Sequence, residues 1–211
     1  MLTELHTFFR TVLKVHDSVL IDNLASHSAI HTVRKRAIIQ NSGEIAMTVD
    51  ILIKGLVRGF FLDNVGREIT DCFEMEPGTP LVSSFELGEP SLISLEAMEE
   101  CTFVSIPLEF LMPLLENVEV LKIYNWYLTC SLRRHWEAKM MLSQYTARER
   151  YLWFLEKYPG VIDKVSHRHI ASFLGMTAVS LSRVRRDVRE HGEDSGRSME
   201  MAVPVGGRIP L

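Results

Sequence analysis

One segment near the C-terminal end of the chain constrains the fold more than any other. It runs from Ser166 to Arg189 with the sequence SHRHIASFLGMTAVSLSRVRRDVR. Ile170 and Leu174 lie one helical turn apart before the central glycine, and Leu181 and Val184 lie three positions apart after it. This spacing places an apolar stripe on each of two helices and directs both stripes into a shared small core.

The residues between the two stripes predict a tight turn. Ala171 is small where the two helices would cross. Gly175 can adopt the left-handed backbone conformation that ends a helix, and the hydroxyl of Thr177 can cap the helix that follows. The segment therefore has the pattern of a helix-turn-helix, the motif that places its second helix in the major groove of DNA.

Charge agrees with this interpretation. Between Lys164 and Arg189 there are six Lys or Arg residues against the single acid Asp187, although the whole chain has a net charge of −4. A basic face attracts phosphate and makes binding depend on salt. The alternative is an ordinary helical hairpin with a solvated basic edge. We predict DNA contact from His167, Arg168, Thr177, Ala178, Val179, Ser180, Ser182, Arg183, Arg185 and Arg186.

The middle of the chain has a different sequence pattern. From about residue 28 to Pro107, short apolar stretches alternate with turn residues such as Asn41-Ser42-Gly43 and Pro77-Gly78. This pattern predicts an antiparallel β domain, either a sandwich or a roll. Between Glu44 and Glu100 there are twelve Asp or Glu residues against three Lys or Arg. DNA would repel such a surface, so nucleic-acid contact is expected at the other end of the chain.

Helical patterns flank the β domain. Residues 1 to about 25 predict short helices, and residues 108 to 116 predict a helical stretch that is broken or kinked at Pro113. One long helix is then predicted from Val118 to about Ser143, with apolar residues on more than one face. One face would pack on the β domain. The other, with Asn125 in its seam, favours a second copy of the helix over a single buried helix.

The stretch before the helix-turn-helix contains a sequence signal for the start of a helix. Thr146 and Glu149 form a capping-box sequence, so a helix is expected from there to Pro159-Gly160. Residues 161–165 are expected to form a small hairpin or a loop. We divide the α+β chain into N-terminal helices and β-roll (1–117), dimerisation helix (118–143), helix-turn-helix domain (144–190) and a flexible tail (191–211).

Other classes of function find little support in the sequence. Cys72, Cys101 and Cys130 are odd in number and widely spaced, which favours reduced structural thiols. His27 and His31 have helical ligand spacing, but no third ligand is near, so no metal is expected. No GxSxG, HExxH or phosphate-loop motif occurs, so we expect no enzyme. Without an evident signal peptide or membrane span, we expect a cytoplasmic protein.

The order of these parts resembles the Crp/Fnr superfamily of bacterial transcription regulators over about residues 20 to 190. The most specific piece is IASFLGMTAVSLSRVRRDV, which resembles the family's winged helix-turn-helix. Residues 55–58 (GLVR) and 95–101 (LEAMEEC) resemble parts of its cyclic-nucleotide-binding-type β-roll. The resemblance implies a homodimer on double-stranded DNA, with one recognition helix in each half-site. RNA polymerase is a further expected partner.

The resemblance carries over only in part. Where cyclic-AMP-binding members place an Arg and a Glu on the recognition helix, this chain has Ala178 and Val179, so Arg183 becomes the main candidate for a base contact. The family's Gly-Glu and Arg-Ser effector motifs correspond here to Val82-Ser83 and Ser91-Leu92. A buried cyclic phosphate would find no cation there, which disfavours cyclic AMP. The cofactor is left unknown, and haem ligation by a histidine is left open.

Two alternatives to a DNA-binding regulator remain at this point. One is a protein built on a β-roll that binds small molecules or protein partners without binding DNA. The other is an enzyme with a β-barrel active site and a helical appendage. DNA binding that weakens steeply with salt separates the regulator from both.

Overall fold

The computed structural model describes residues 2 to 191, and two compact units divide them. The N-terminal unit contains the residues up to Phe61 together with Asp71–Thr129. The C-terminal unit contains Leu62–Thr70 together with the residues from Cys130 onward. The predicted flexible tail lies, apart from His191, outside the described residues. The four-part division made from the sequence remains a prediction. The boundary between the two compact units falls between Thr129 and Cys130, inside the predicted long helix.

Two helices and two antiparallel sheets open the chain. The helices are α1 (Leu2–Thr11) and α2 (Ser18–His27). The strands are β1 (Ala29–Val33), β2 (Ile38–Gln40), β3 (Thr48–Lys54), β4 (Val57–Leu62), β5 (Glu68–Glu74), β6 (Ser94–Ala97) and β7 (Cys101–Pro107). One sheet has the order β1-β7-β3 and the other the order β2-β6-β4-β5. The predicted antiparallel β domain is thus confirmed, and it takes the roll form.

The three-stranded sheet has apolar side chains on both faces, because successive residues of β3 and β7 point to opposite faces and both sets are apolar. In β3, Val49 and Ile51 belong to a core cluster with α1 and α2, whereas Leu52 belongs to the cluster that includes residues of the other sheet. In β7, Val104 faces the helices and Phe103 faces the other sheet in the same way. A period of two in side-chain direction produces this division. The sheet therefore separates two hydrophobic cores.

Six further helices complete the described chain: α3 (Leu108–Leu114), α4 (Val118–Gln144), α5 (Ala147–Lys157), α6 (Val161–Lys164), α7 (His167–Phe173) and α8 (Ala178–His191). The predicted long helix is confirmed, and the side chain of Asn117 caps it by accepting from the N–H groups of Glu119 and Val120 at 2.9 and 3.3 Å. The capping box at Thr146 and Glu149 is also confirmed. None of the helices between Leu2 and His191 is long and apolar enough to cross a membrane.

The expectation of a hairpin or loop at residues 161–165 was wrong. The structure has the one-turn helix α6, which begins after Gly160 at a φ of 75°. Val161 and Val165, four positions apart, are both buried, and the N–H of Val165 donates to the carbonyl of Val161 at 3.1 Å. Burial of two valines at helical spacing explains the turn. Within the described residues no strand follows β7, so strands of a wing are not seen there.

Arg150 in α5 links three parts of the C-terminal unit. Its guanidinium donates to the carbonyls of Leu142 and Tyr145 at the end of α4, at 2.8 and 3.0 Å. It also donates to the carbonyls of Leu174 and Gly175 in the turn between α7 and α8, at 3.1 and 3.4 Å. Carbonyls at helix ends lack partners within their own helix. One side chain thus satisfies two helix ends and holds the turn against them.

We expect Arg150→Lys to lower the free energy of unfolding by about 2 kcal/mol, because an ammonium on a single stem cannot reach all four carbonyls. Urea unfolding of the full chain measures this loss. Arg148→Lys, two positions earlier in α5, is the control, since a lysine keeps the ion pair that Arg148 forms with Asp187 at 3.3 Å. Equal losses in the two variants would contradict the assigned role of Arg150.

In the N-terminal unit, Arg58→Met is expected to cost about 3 kcal/mol, because it leaves a half-buried carboxylate without its partner. The Arg58 side chain is 1% exposed and donates to Glu96 Oε2 at 3.0 Å. Chemical denaturation measures the change. Arg67→Met is the control, because its partner Asp63 is about as buried as Glu96 whereas the Arg67 side chain itself is 72% exposed to water. The expectation fails if both variants unfold at the same denaturant concentration.

Candidate nucleic-acid interface

The helix-turn-helix predicted from residues 166 to 189 is formed by α7 and α8. Most of the predicted inward positions are buried: Ile170, Leu174 and Leu181 are each 0% exposed and Ala171 is 1% exposed, whereas Val184 is only partly buried. Phe173 adds a ring that meets Trp153, Phe154 and Tyr158 with centroids 5.5 to 6.2 Å apart. Aromatic side chains in and just after α5 therefore form the surface against which Phe173 of the motif packs. The sequence pattern of the motif did not indicate this contribution.

The turn between the two helices is a Schellman motif. Gly175 has a φ of 61°, in the left-handed region. The N–H of Met176 donates to the carbonyl of Ala171 at 2.9 Å, and that of Gly175 donates to Ser172 at 3.1 Å. A Cβ atom at Gly175 would lie 2.9 Å from a methyl group of Leu142. Both the backbone conformation and the close packing therefore require glycine here.

The first turn of α8 is capped as predicted. The Thr177 hydroxyl accepts from the backbone N–H of Ser180 at 3.0 Å and lies 2.9 Å from the Ser180 hydroxyl. The side chain of Thr177 thus satisfies one of the donors that a helix start leaves free. This contact also occupies the Ser180 hydroxyl, a candidate DNA contact.

The structure leaves most of the ten predicted contact residues at the surface. Ser180 and Arg185 are partly buried. The other eight are exposed: His167, Arg168, Thr177, Ala178, Val179, Ser182, Arg183 and Arg186. Val179 is 61% exposed although it is apolar. An exposed branched side chain in the first turn of α8 adds nothing to the core and is available for contact with another molecule.

Arg185 differs from the other arginines of α8. Its Nη1 atom is hydrogen-bonded to the imidazole of His167 at the start of α7. Its Nε atom is buried and has no hydrogen-bond partner among the described residues. Arg185 therefore joins the two helices, and its guanidinium is less available for DNA than those of Arg183 and Arg186.

An arginine from α5 offsets the single acid of the basic segment. Arg148 pairs with Asp187 at 3.3 Å between their side chains. Its charge offsets the carboxylate that would otherwise weaken the attraction of α8 for phosphate. Sequence reasoning missed Arg148 and Arg150, because both lie outside the motif and their partners within it, Asp187 for the first and Leu174 and Gly175 for the second, are 24 or more positions away.

The β4–β5 hairpin supplies a further contact to α7. Residues 62–70 belong to the C-terminal unit. The N–H of Thr70 donates to the hydroxyl of Ser172 at 3.0 Å, and that hydroxyl donates to the carbonyl of Glu68 at 3.4 Å. His169 Nε2 lies 3.8 Å from Glu68 Oε2. The first helix of the motif is thereby fastened to a strand as well as to α8.

The positions that correspond to an effector motif hold hydroxyls. Ser83 Oγ and Ser91 Oγ lie 2.7 Å apart, and Ser91 is 4% exposed. Each hydroxyl thus has a partner within the loop that joins β5 to β6. A cyclic phosphate would need a cation at this place, and neither residue carries a charge.

Comparison with known proteins identifies the fold. No family model matches the sequence. No curated protein matches it either.

Among solved structures, FixK2 from Bradyrhizobium japonicum is 23% identical, with 81% of this chain and 89% of that one covered and a TM-score of 0.68. The c-di-GMP-responsive global regulator CLP of Xanthomonas campestris is 18% identical, with 83% and 93% covered and a TM-score of 0.68. TTHB099, a CRP-family transcriptional regulator of Thermus thermophilus, is 26% identical, with 77% and 85% covered and a TM-score of 0.62. The chain has the fold of the Crp/Fnr superfamily of transcription regulators.

Proposed function

We propose that this protein is a homodimeric, sequence-specific DNA-binding transcription regulator. The observation that carries the proposal is α8, a capped helix held on a packed helix-turn-helix frame with its first turns exposed and with arginines along its surface. The Crp/Fnr fold supports it, since its members in the comparison include transcriptional regulators. RNA polymerase is proposed as a partner of the DNA-bound dimer.

Base recognition is assigned to the first turns of α8. The guanidinium of Arg183 can offer two parallel donors to the O6 and N7 atoms of a guanine. The side chains of Ala178 and Val179 can contact the methyl group of a thymine. Thr177 and Ser182 supply hydroxyls that can donate or accept. The half-site is therefore expected to contain a guanine next to an A·T pair.

Phosphate contact is assigned to exposed arginines around this helix and to the neighbouring His167. Arg168 and His167 lie in the first turn of α7, and Arg186 lies one turn after Arg183 on α8. Contacts of this kind fix the position of the protein on the duplex without reading its sequence. They also make the binding constant fall as salt is raised.

Dimerisation is assigned to the exposed apolar stripe of α4. Val118, Leu121, Leu128 and Leu132 are 66%, 41%, 39% and 60% exposed. Asn125 lies between them and can set the register of two helices. An apolar stripe of this length on a monomer points to a partner surface, and a second copy of α4 covers it most simply. Two copies would present two recognition helices to successive major grooves.

The effector is proposed to be a molecule other than cyclic AMP, or none. Val82-Ser83 and Ser91-Leu92 give a cyclic phosphate no counter-charge. The alternative of a β-roll protein without DNA binding predicts no salt-dependent binding to DNA, so a salt titration decides between the two.

Arg183→Ala is expected to weaken binding to a selected operator by about 30-fold or more and to relax the preference for guanine in each half-site, because the dimer loses one bidentate contact in each half-site and each contact is worth about 1–3 kcal/mol. Fluorescence anisotropy on matched and guanine-substituted operators measures both effects. Arg189→Ala is the control, since it removes the same charge from a different face of α8. Unchanged preference in Arg183→Ala would overturn the assignment.

Leu132→Glu is expected to convert a dimer into a monomer at micromolar concentration, because it places two carboxylates in an apolar seam. Sedimentation velocity measures the mass of the species in solution. Lys122→Glu is the control, since Lys122 is exposed on α4 but lies about a quarter turn from the middle of the stripe. A wild-type chain that sediments only as a monomer would contradict the homodimer.

A further inference from the structure

The N-terminal unit contains an apolar cavity that the proposed DNA contact does not use. Its volume is about 70 Å³. It lies on the helix-facing side of the three-stranded sheet, where Val49 and Ile51 of β3 meet Phe9 of α1 and Leu24 of α2. Val120 and Ile123, in the first turns of α4, complete its wall. The cavity thus lies on the opposite face of β3 from Leu52.

The lining of this cavity is almost purely hydrocarbon. Fourteen of its sixteen residues are aliphatic residues, proline or phenylalanine, and the other two are Tyr124 and Tyr127. The hydroxyl of Tyr127 donates to the carbonyl of Val82 at 3.4 Å and so already has a partner. Of the four residues matched to the family's effector motif, Val82 lines the cavity, whereas Ser83, Ser91 and Leu92 do not. The cavity therefore adjoins the matched motif positions at Val82 without including the two serine hydroxyls.

A cavity of this size and composition favours one class of occupant. It is larger than a single water requires, but water inside would lack the two to four polar partners that hold buried water. Protein interiors are otherwise close-packed, and empty volume lowers stability. The cavity is partly open to solvent, and an apolar lining of this kind accepts apolar molecules such as benzene or xenon.

The uncharged lining narrows the class of ligand further. None of the sixteen lining residues carries a charge, so an anion or a cation would enter without a counter-charge. Burial and the neighbouring Glu86 carboxylate raise the pKa of Tyr124, so its phenol keeps its proton.

We propose that this cavity is the binding site of a small, uncharged, apolar ligand, with Val49, Ile51, Val120 and Ile123 as its walls. A role of this ligand as an effector rests on the function proposed above, whereas its binding does not. Because Val120 and Ile123 belong to α4, an occupant would contact the same helix that carries the exposed stripe.

The test uses xenon and benzene as probes on the full wild-type chain, with methyl resonances followed by nuclear magnetic resonance. We expect saturable shifts of the methyl groups of Ile51, Val120 and Ile123 with both probes. Benzenesulfonate, which has the same ring with a charge, is expected to cause none. No saturable shift at these methyl groups, or equal shifts with the sulfonate, would overturn the proposal.

A pair of conservative variants locates the site. The double variant Val49→Ile/Val120→Ile adds two methylene groups to the cavity. Its xenon affinity is expected to fall at least fivefold, and its melting temperature is expected not to fall. Val104→Ile is the control, because Val104 is 0% exposed in the same core but does not line the cavity. It should bind xenon as the wild type does and melt at a lower temperature. Unchanged xenon binding in the double variant would overturn the site.

DNA binding separates this proposal from the function on which its effector role depends. On a selected operator, saturating benzene is expected to change the affinity of the wild type by at least threefold and that of the double variant by less. Saturable benzene binding with unchanged operator affinity would overturn the effector role. A chain that binds no DNA at all would overturn the proposed function, while the xenon data still decide whether the cavity binds a ligand.

Discussion

The short turn around Gly175 is the constraint on which the candidate interface depends. A left-handed residue with no Cβ lets the chain reverse within three residues, and the hydrogen bond from Met176 to Ala171 closes it. The guanidinium of Arg150 then binds the carbonyls that the turn leaves free. The angle between α7 and α8 follows from these contacts. The exposure of Val179 and Arg183 follows in turn, because burial of Leu181 fixes the face of α8 that remains outside.

The parts of this fold that could be predicted are those whose cause is local in sequence. The capping box of Thr146 and Glu149, the cap at Thr177 and the turn at Gly175 each involve residues within a few positions of one another. The alternation of β3 and β7 also leaves a period in the sequence. Such features can be derived from one chain without its structure, because the partners of each interaction lie within one short window.

The parts that could not be predicted arise from contacts between distant segments. Arg150 contacts carbonyls at Tyr145, five positions away, and at Gly175, 25 positions away, and no local sequence pattern shows that these two carbonyls meet at one side chain. The helix at residues 161–164 forms because Val161 and Val165 are buried by their surroundings, a result that five residues alone do not encode. The cavity is a shortfall of packing among strands and helices, and a sequence pattern that marks positions as apolar cannot show that they leave a void.

The first turns of α4 connect two separate observations in the N-terminal unit. Val120 and Ile123 line the cavity, whereas Leu121 and Leu128 are exposed on the stripe assigned to a second copy. These residues belong to one continuous helix, in which the side chains cannot rotate about the axis independently of the backbone. A rotation or shift of α4 that fills or empties the cavity must therefore also displace the stripe. Because the interface proposed for the dimer would be apolar and closely packed, it would respond to such a displacement by changing between discrete packings.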